Sequence, residues 1–394
     1  MNIRCAVFAV LLASAWLYPT GVSLVSAGEL ASDYAGIYVM SARPVVQGPA
    51  VPPEVYHIKA IDGVYLRQPW SAIEKAPGLF DWASMDGAIS LAINARKKIS
   101  LAILAGRFSP DWLDKAGARR SAFSIPAGWP TQRCVTMQIP WPWDRGYQDA
   151  YIAMTVALSH HLRSWRAAYS ALKIVKISPI AISSEELRMP VTWPARLTAI
   201  ANPCPQTDVT KVWQRAGFRP SLVLSAWTRM ADAVAQGFPG KLLAIDILDG
   251  NDFPPIGENG SVSPGSTTRQ AIISASIARF PGRFAVQWDG LTASNFSPST
   301  EAARRSGAVI GWSTNEFRGE NGAGCNATRR EFIERHEAAA PCNAAGYDAI
   351  LQHAVNLHGR FIEVWSSDAL RFPQAMITAH RALAGFMPNQ STAN

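Results

Sequence analysis

Three stretches place carboxylates at or near the ends of apolar, β-branched runs, where a side chain can be offered to a reactant: Ser183-Ser-Glu-Glu186, Gly311-Trp-Ser-Thr-Asn-Glu316 and Phe361-Ile-Glu-Val-Trp365. Side chains alternate between the two faces of a strand. Lys176, Ser178, Ser184 and Glu186 share one parity, and Val175, Ile177 and Pro179 share the other, so Glu186 belongs with the polar set. Glu185 stands beside it as a rival. In the third run Ile362 and Val364 take one face and Glu363 the other. A charge turned inward in a strand costs several kcal/mol unless it is paired or used. Glu316 is the strand-end candidate, with Glu363 close behind it or supporting it. Carboxylates held near one another do acid–base or nucleophilic work when their surroundings keep one protonated and another ionised.

The aromatic residues suggest what such carboxylates would act on. Of the 14 tryptophans, many fall in loops or at strand ends rather than at helical spacing. Sugars present apolar C–H faces that lie flat on aromatic rings, and the indole N–H serves their hydroxyls. Trp70, Trp143, Trp288, Trp312 and Trp365 are candidate platforms; Gln287, Asp289 and Asn315 could bind hydroxyls, and Asp246 is a further possibility. Arg67 ends a strand-like run and is a candidate to hold a carboxylate ionised through charge-assisted hydrogen bonds. Other chemistries find no motif. There is no phosphate loop, no His-Glu-x-x-His helix and no nucleophile elbow. His160 and His161 are adjacent, on different helix faces, so the reading expects no metal and no cofactor.

Eight strand-like runs must position these groups: Gly36–Met40, Gly63–Gln68, Ile99–Ala105, Ile174–Ile182, Leu242–Leu248, Phe284–Trp288, Ala308–Thr314 and Phe361–Trp365. Between them the pattern predicts helices at Ser84–Arg96, Tyr147–Ala168, Pro220–Gln236, Thr268–Arg279, Glu331–Ala339, Tyr347–Leu357 and Pro373–Ala384. Alternation of short apolar strands with helices argues for parallel βα units, and eight strands for a closed (β/α)8 TIM barrel of the α/β class. Helix-to-strand turns are short, as at Phe238-Pro-Gly-Lys241 and Phe280-Pro-Gly-Arg283, whereas the strand-to-helix loops are long. The latter build the active face of such a barrel.

Within Ile61–Leu113, the run Gly63-Val-Tyr-Leu-Arg-Gln-Pro-Trp70, then Ser71-Ala-Ile-Glu74, Pro77-Gly-Leu-Phe-Asp-Trp82, Asp86 and Ser109-Pro-Asp-Trp-Leu113 resembles the amino-terminal half of family 42 and related clan A glycoside hydrolases. The resemblance implies a barrel with an acid/base glutamate after strand four and a nucleophile glutamate after strand seven. Carried onto this sequence, those positions fall at Glu186 and Glu316. The family has Asn before its acid/base residue, where this chain has Glu185. The implied function is a retaining glycoside hydrolase acting on an oligo- or polysaccharide. A non-catalytic carbohydrate-binding barrel is the alternative.

The amino terminus speaks to compartment. Arg4, an apolar run from Cys5 to Leu17 and the small residues Val25-Ser26-Ala27 read as a signal peptide over 1–27, leaving 28–394 as one catalytic domain, secreted or periplasmic. Four cysteines then remain, Cys134, Cys204, Cys325 and Cys342, an even number that suggests two disulfides. The net charge of +8 comes from scattered basic residues rather than a stripe, which argues against a nucleic-acid partner. No later segment is long and apolar enough to span a membrane. Oligomeric state is left open.

Overall fold

The computed structural model describes residues 34–43, 45–127, 133–182, 184–192, 208–250, 252–263, 265–315 and 343–385. Eight parallel strands close into a barrel: β1 (Gly36–Met40), β2 (Gly63–Pro69), β3 (Lys98–Leu104), β4 (Leu172–Lys176), β5 (Leu242–Ile247), β6 (Phe284–Leu291), β7 (Val309–Thr314) and β8 (Phe361–Trp365). Each pairs with its neighbours in sequence, and β8 closes on β1 with Tyr38 opposite Glu363. The fold is a single-domain (β/α)8 barrel.

Among the described residues, seven principal helices wrap it: α1 (Ala83–Asn94), α2 (Arg145–Ser164), α3 (Pro220–Gly237), α4 (Thr268–Arg279), α5 (Pro298–Arg305), α6 (Ala344–Asn356) and α7 (Pro373–Gly385). Local signals start several of them. Asp144 accepts from Tyr147 N, Ser297 from Thr300 N and Asn343 from Gly346 N, each satisfying an end N–H that has no partner within the helix. Helix α5 escapes the periodicity reading because it spans only eight residues, most of them polar, although Ser297-Pro298 is a start signal. The expected helix at Glu331–Ala339 lies outside the described residues, as does the expected signal peptide.

Strands covered on both faces have two cores. Outward side chains such as Ile37, Val64, Leu66, Ile245, Val286 and Ile362 pack under the helices. Inward ones, including Tyr38, Tyr65, Ala102, Ile174, Ala244, Ala285 and Phe361, fill the lumen. Gly311 is forced by this packing, since a Cβ there would collide with the Phe361 ring.

Strand β4 is shorter than the sequence suggests. It ends at Lys176, not Ile182, because the chain beyond it bonds sideways to the loop after β3: Ala105 N donates to Ser178 O at 3.1 Å and Arg107 N to Ala181 O at 2.9 Å. Gly106, at φ +56°, lies against the Ala181 backbone where a Cβ could not fit. The long loop after β3 also carries an antiparallel hairpin, Arg120–Ala127 with Arg133–Pro140. Cys134 lies in its second strand; Cys204, Cys325 and Cys342, and with them both expected disulfides, fall outside the described residues. No helix among the described residues is long and apolar enough to cross a membrane.

Candidate active site

The alternation of β-strand side chains sends Arg67, Ser100, Lys176, Asp246, Gln287 and Glu363 into the lumen from six different strands. At its floor, the Lys176 ammonium donates at 2.7 Å to Glu363 Oε2, at 2.7 Å to Asp246 Oδ2 and at 3.2 Å to Gln287 Oε1. It lies 3.8 Å from the centre of the Tyr65 ring. Gln287 Nε2 donates to Glu363 Oε2 at 2.8 Å, and Ser100 Oγ to Glu363 Oε1 at 3.3 Å. Glu363 thus faces inward as its parity predicts, but as a member of a packed polar floor.

Above this floor, at the carboxyl ends of the strands, lies the mouth. Arg67 Nη1 stands 3.7 Å from Glu185 Oε2, Nη2 donates to Ser41 O at 3.0 Å, and the guanidinium lies 5.4 Å from the centre of the Trp365 ring. The Ser184 hydroxyl also donates to Glu185. Asp289, at the end of β6, remains partly open to solvent. Oxygens of Glu185, Asp246 and Asp289 lie within 4.8 Å of one another. Three carboxylates this close could gather round a cation, but Asp246 and Glu185 already face the charges of Lys176 and Arg67.

The electrostatics separate these acids. Burial alone would lift Glu185; Arg67 and Lys176, with the Ser184 hydroxyl, outweigh it and hold the carboxyl below the ordinary glutamate range. For Asp289, burial and then the charges of Glu185 and Glu186 push the carboxyl well above the aspartate range. Asp246 is likewise pushed well up by burial, which Lys176 does not fully offset. Glu363 is raised for the same reason. Lys176 itself remains an ammonium, because Asp246 and Glu363 overcome the effect of its burial. One ammonium shared between two carboxylates cannot compensate both.

The sequence candidates divide accordingly. Glu185, Arg67, Gln287, Glu363 and Trp365 come together in the lumen or its mouth. Glu186 joins them by a different route from the one its parity suggested: β4 has already ended, and Glu186 is instead held by a parallel bridge to Asp246. Asn315 follows β7 and lies beside Gly290 at the rim. Glu316, the expected nucleophile, lies outside the described residues.

Four tryptophans need correction as sugar platforms. Trp70 is fully buried behind the wall, its indole N donating to Glu74 Oε2 at 2.6 Å. Trp288 and Trp312 pack edge to face at 5.9 Å on the outward parity of β6 and β7, under the helices. Trp143 belongs to an aromatic cluster with Trp141, Trp213 and Phe218 in the helix layer. Large rings at strand ends were as fit for the helix interface as for the mouth. The sequence reading set Lys176 among the polar residues of its strand but gave it no role. A lysine within the apolar run Ile174–Ile177 was the available signal.

No known protein family is matched by the chain, and no curated protein resembles it in sequence. Solved structures do resemble it in shape. The catalytic domain of β-amylase from Paenibacillus polymyxa superposes with a TM-score of 0.55 at 12% identity, covering 90% of this chain and 99% of that one. Xylanase 10B from Thermotoga maritima gives 0.47 at 9% identity, over 92% and 99%. The exo-β-1,4-mannosidase Op5Man5 from Opitutaceae bacterium strain TAV5 gives 0.44 at 12%, over 84% and 51%. The likeness to the β-amylase domain establishes a shared (β/α)8 barrel. The resemblance to family 42 remains one of the segment Ile61–Leu113.

Proposed function

We propose that the chain is a secreted retaining glycoside hydrolase, with the Glu185–Asp289 pair as its reacting carboxyls. The observation that carries this reading is that two neighbouring acids at the mouth of the barrel are driven in opposite directions, Glu185 towards its charged form and Asp289 towards its neutral one. Titratable neighbours whose surroundings pull them apart are what an acid and a nucleophile require. Their separation of at most 4.8 Å between oxygens suits the ~5–5.5 Å of retaining enzymes better than the ~6.5–9.5 Å that leaves room for a water. The barrel shared with the β-amylase catalytic domain agrees with a carbohydrate substrate.

In the first step Asp289 gives its proton to the glycosidic oxygen as that bond breaks, and Glu185 attacks the anomeric carbon to form a glycosyl ester. In the second, Asp289 takes a proton from water, whose oxygen attacks the same carbon and returns Glu185 as a free carboxylate. Trp365 offers an aromatic face beside them, its indole N fixed by donation to Thr314 O at 2.9 Å. Arg67 keeps Glu185 ionised between turnovers.

The pairing of Glu186 with Glu316 is a second reading, favoured by an uncommitted buried oxygen, Glu186 Oε2. Hydrolysis of a panel of aryl glycosides and polysaccharides by the mature protein and its E185Q, D289N, E186Q and E316Q variants separates the two. Loss in the first two variants, with azide restoring E185G by giving a glycosyl azide, supports the proposed pair. Loss confined to E186Q and E316Q transfers the chemistry to them. Sugar binding without turnover by the wild type makes the chain a carbohydrate-binding barrel.

A further inference from the structure

The strand that carries Asp289 is irregular where the acid stands. Ala285, Gln287 and Asp289 take the inward parity of β6, and Val286 and Trp288 the outward one. Strict alternation would turn Leu291 inward as well. It packs instead in the outer core, under the helices. A β-bulge makes this change of side: Asp289 lies opposite Ser313 and Leu291 opposite Thr314, so Gly290 is the extra residue between them. Bulges beside active sites re-aim a side chain. Gly290 has φ +108°, a conformation that glycine adopts without the strain other residues meet.

One side chain closes this bulge. Asn295 Nδ2 donates to Gly290 O at 3.0 Å, and Asn295 Oδ1 accepts from Thr292 N at 2.8 Å. Only this orientation of the amide satisfies both, since Thr292 offers a donor and Gly290 an acceptor. Asn295 is itself gripped from α6, where His353 Nε2 donates to its carbonyl at 2.6 Å. The pairing of β6 with β7 ends at Leu291 and Thr314. Past that point it is these bonds that tie the turn back to the strand. On the lumen side, Asp289 Oδ1 accepts from Gln287 Nε2 at 3.2 Å. Gln287 steadies one oxygen; the aim of the whole carboxyl follows the backbone at Asp289 and Gly290.

We propose that Asn295, gripped by His353, is a positioning residue for the proton donor: it fixes the bulge at Gly290 and, through it, the aim of Asp289 at the glycosidic oxygen. This rests on the reading of Asp289 as that donor. A donor displaced by about 1 Å costs on the order of 10²-fold in rate, while Glu185, on the loop after β4, keeps its place. The loss therefore depends on the leaving group. A phenoxide needs its proton as the bond breaks, and a dinitrophenoxide departs without one.

That difference supplies the test. kcat/KM is measured on paired phenyl and dinitrophenyl glucosides, xylosides and mannosides, for the full mature protein and its N295A, H353F, H353Q and D289N variants. Melting curves fix a temperature at which each is folded. In N295A, hydrolysis of the phenyl glycosides is expected to fall by about 10–100-fold, while the dinitrophenyl glycosides keep most of theirs. H353F is expected to show the same split more weakly. H353Q, whose amide can still donate to Asn295 O, is expected to return towards the wild-type ratio. Should N295A not fold, H353F against H353Q decides the matter. Equal losses on both kinds of glycoside mark a merely structural residue and overturn the proposal, as does no loss at all. D289N sets the scale for a donor that is missing altogether. If it collapses on phenyl glycosides while N295A and H353F match the wild type, the donor stands and the positioning role alone falls. Undiminished hydrolysis of phenyl glycosides by D289N removes the donor and this proposal with it. A wild type that hydrolyses none of the glycosides removes both.

Discussion

The Lys176 ammonium and the Glu363 carboxylate meet at 2.7 Å on the floor of the lumen, and their side chains are 1% and 0% exposed. Neither has water to fall back on. Removing the cation leaves Glu363 and Asp246 facing each other in a place that water does not reach. K176M is therefore expected to lose about 3–5 kcal/mol of folding stability, the range for breaking a buried ion pair by deleting one partner. Urea denaturation measures it. The double variant K176M/E363Q should recover part of that loss, because the charge left stranded in the single variant is gone. A K176M protein as stable as wild type would mean that the floor is not held by this pair.

The mouth makes a prediction about pH. Turnover requires Glu185 ionised and Asp289 protonated. The first lies below the ordinary glutamate value of ~4.3, so the rising limb of kcat/KM belongs at low pH. The second lies well above the ordinary aspartate value of ~3.9, so the falling limb comes at higher pH and the plateau lies between. R67M removes the cation nearest Glu185 and should move the rising limb to higher pH. An unmoved rising limb in R67M would separate Arg67 from the protonation state of the nucleophile.

Much of the barrel was legible because burial on both faces of a strand leaves a plain mark. Runs such as Phe361–Trp365 and Leu242–Leu248 are short, apolar and bounded by turns; the first falls where the structure has it, and the second ends one residue earlier, at Ile247. The site was only half legible. Parity placed Glu363 in the lumen because it lies within a regular strand. It was not applied to Trp288 and Trp312, whose outward parity on β6 and β7 sets them under the helices; there ring size was taken for a sign of sugar binding. Beyond Lys176 parity had no meaning, since the chain leaves β4 and is steered by backbone bonds to Ala105 and Arg107 that no local pattern encodes. Glu185, which the sequence offered only as a rival to Glu186, is singled out once Arg67, more than a hundred positions earlier, is seen to face it.

The tryptophans separate binding from stability. Trp365 is half-buried at the mouth, between the Arg67 guanidinium and the rim. W365A should weaken carbohydrate binding by about tenfold, the effect of losing an aromatic platform worth ~1–1.5 kcal/mol, with little change in unfolding temperature. Trp312 lies under the helices and is 2% exposed. W312A should cost about 3–5 kcal/mol of stability through the cavity it leaves and should bind sugar as the wild type does at temperatures where it is folded. Paired melting curves and sugar titrations check both. Reversed results would put Trp312 in the site and Trp365 in the core.

Asp289 carries a last prediction, in which stability and activity part company. Its carboxyl is pushed well above the aspartate range in the folded barrel by burial and by the charges of Glu185 and Glu186, whereas in the unfolded chain it ionises near ~4. The folded state therefore binds the proton more tightly. The stability that this proton contributes is fully present below the unfolded value and is lost as pH rises through the folded value. D289N keeps the shape and a neutral side chain at every pH, so it carries no such loss. Melting temperatures followed against pH should show wild type and D289N together in acid and diverging as pH rises, with D289N the more stable. The same substitution should abolish the proton donor and with it hydrolysis. If D289N melts below the wild type throughout the range, Asp289 is ionised in the fold, and the acid of the reaction must be sought at Glu186.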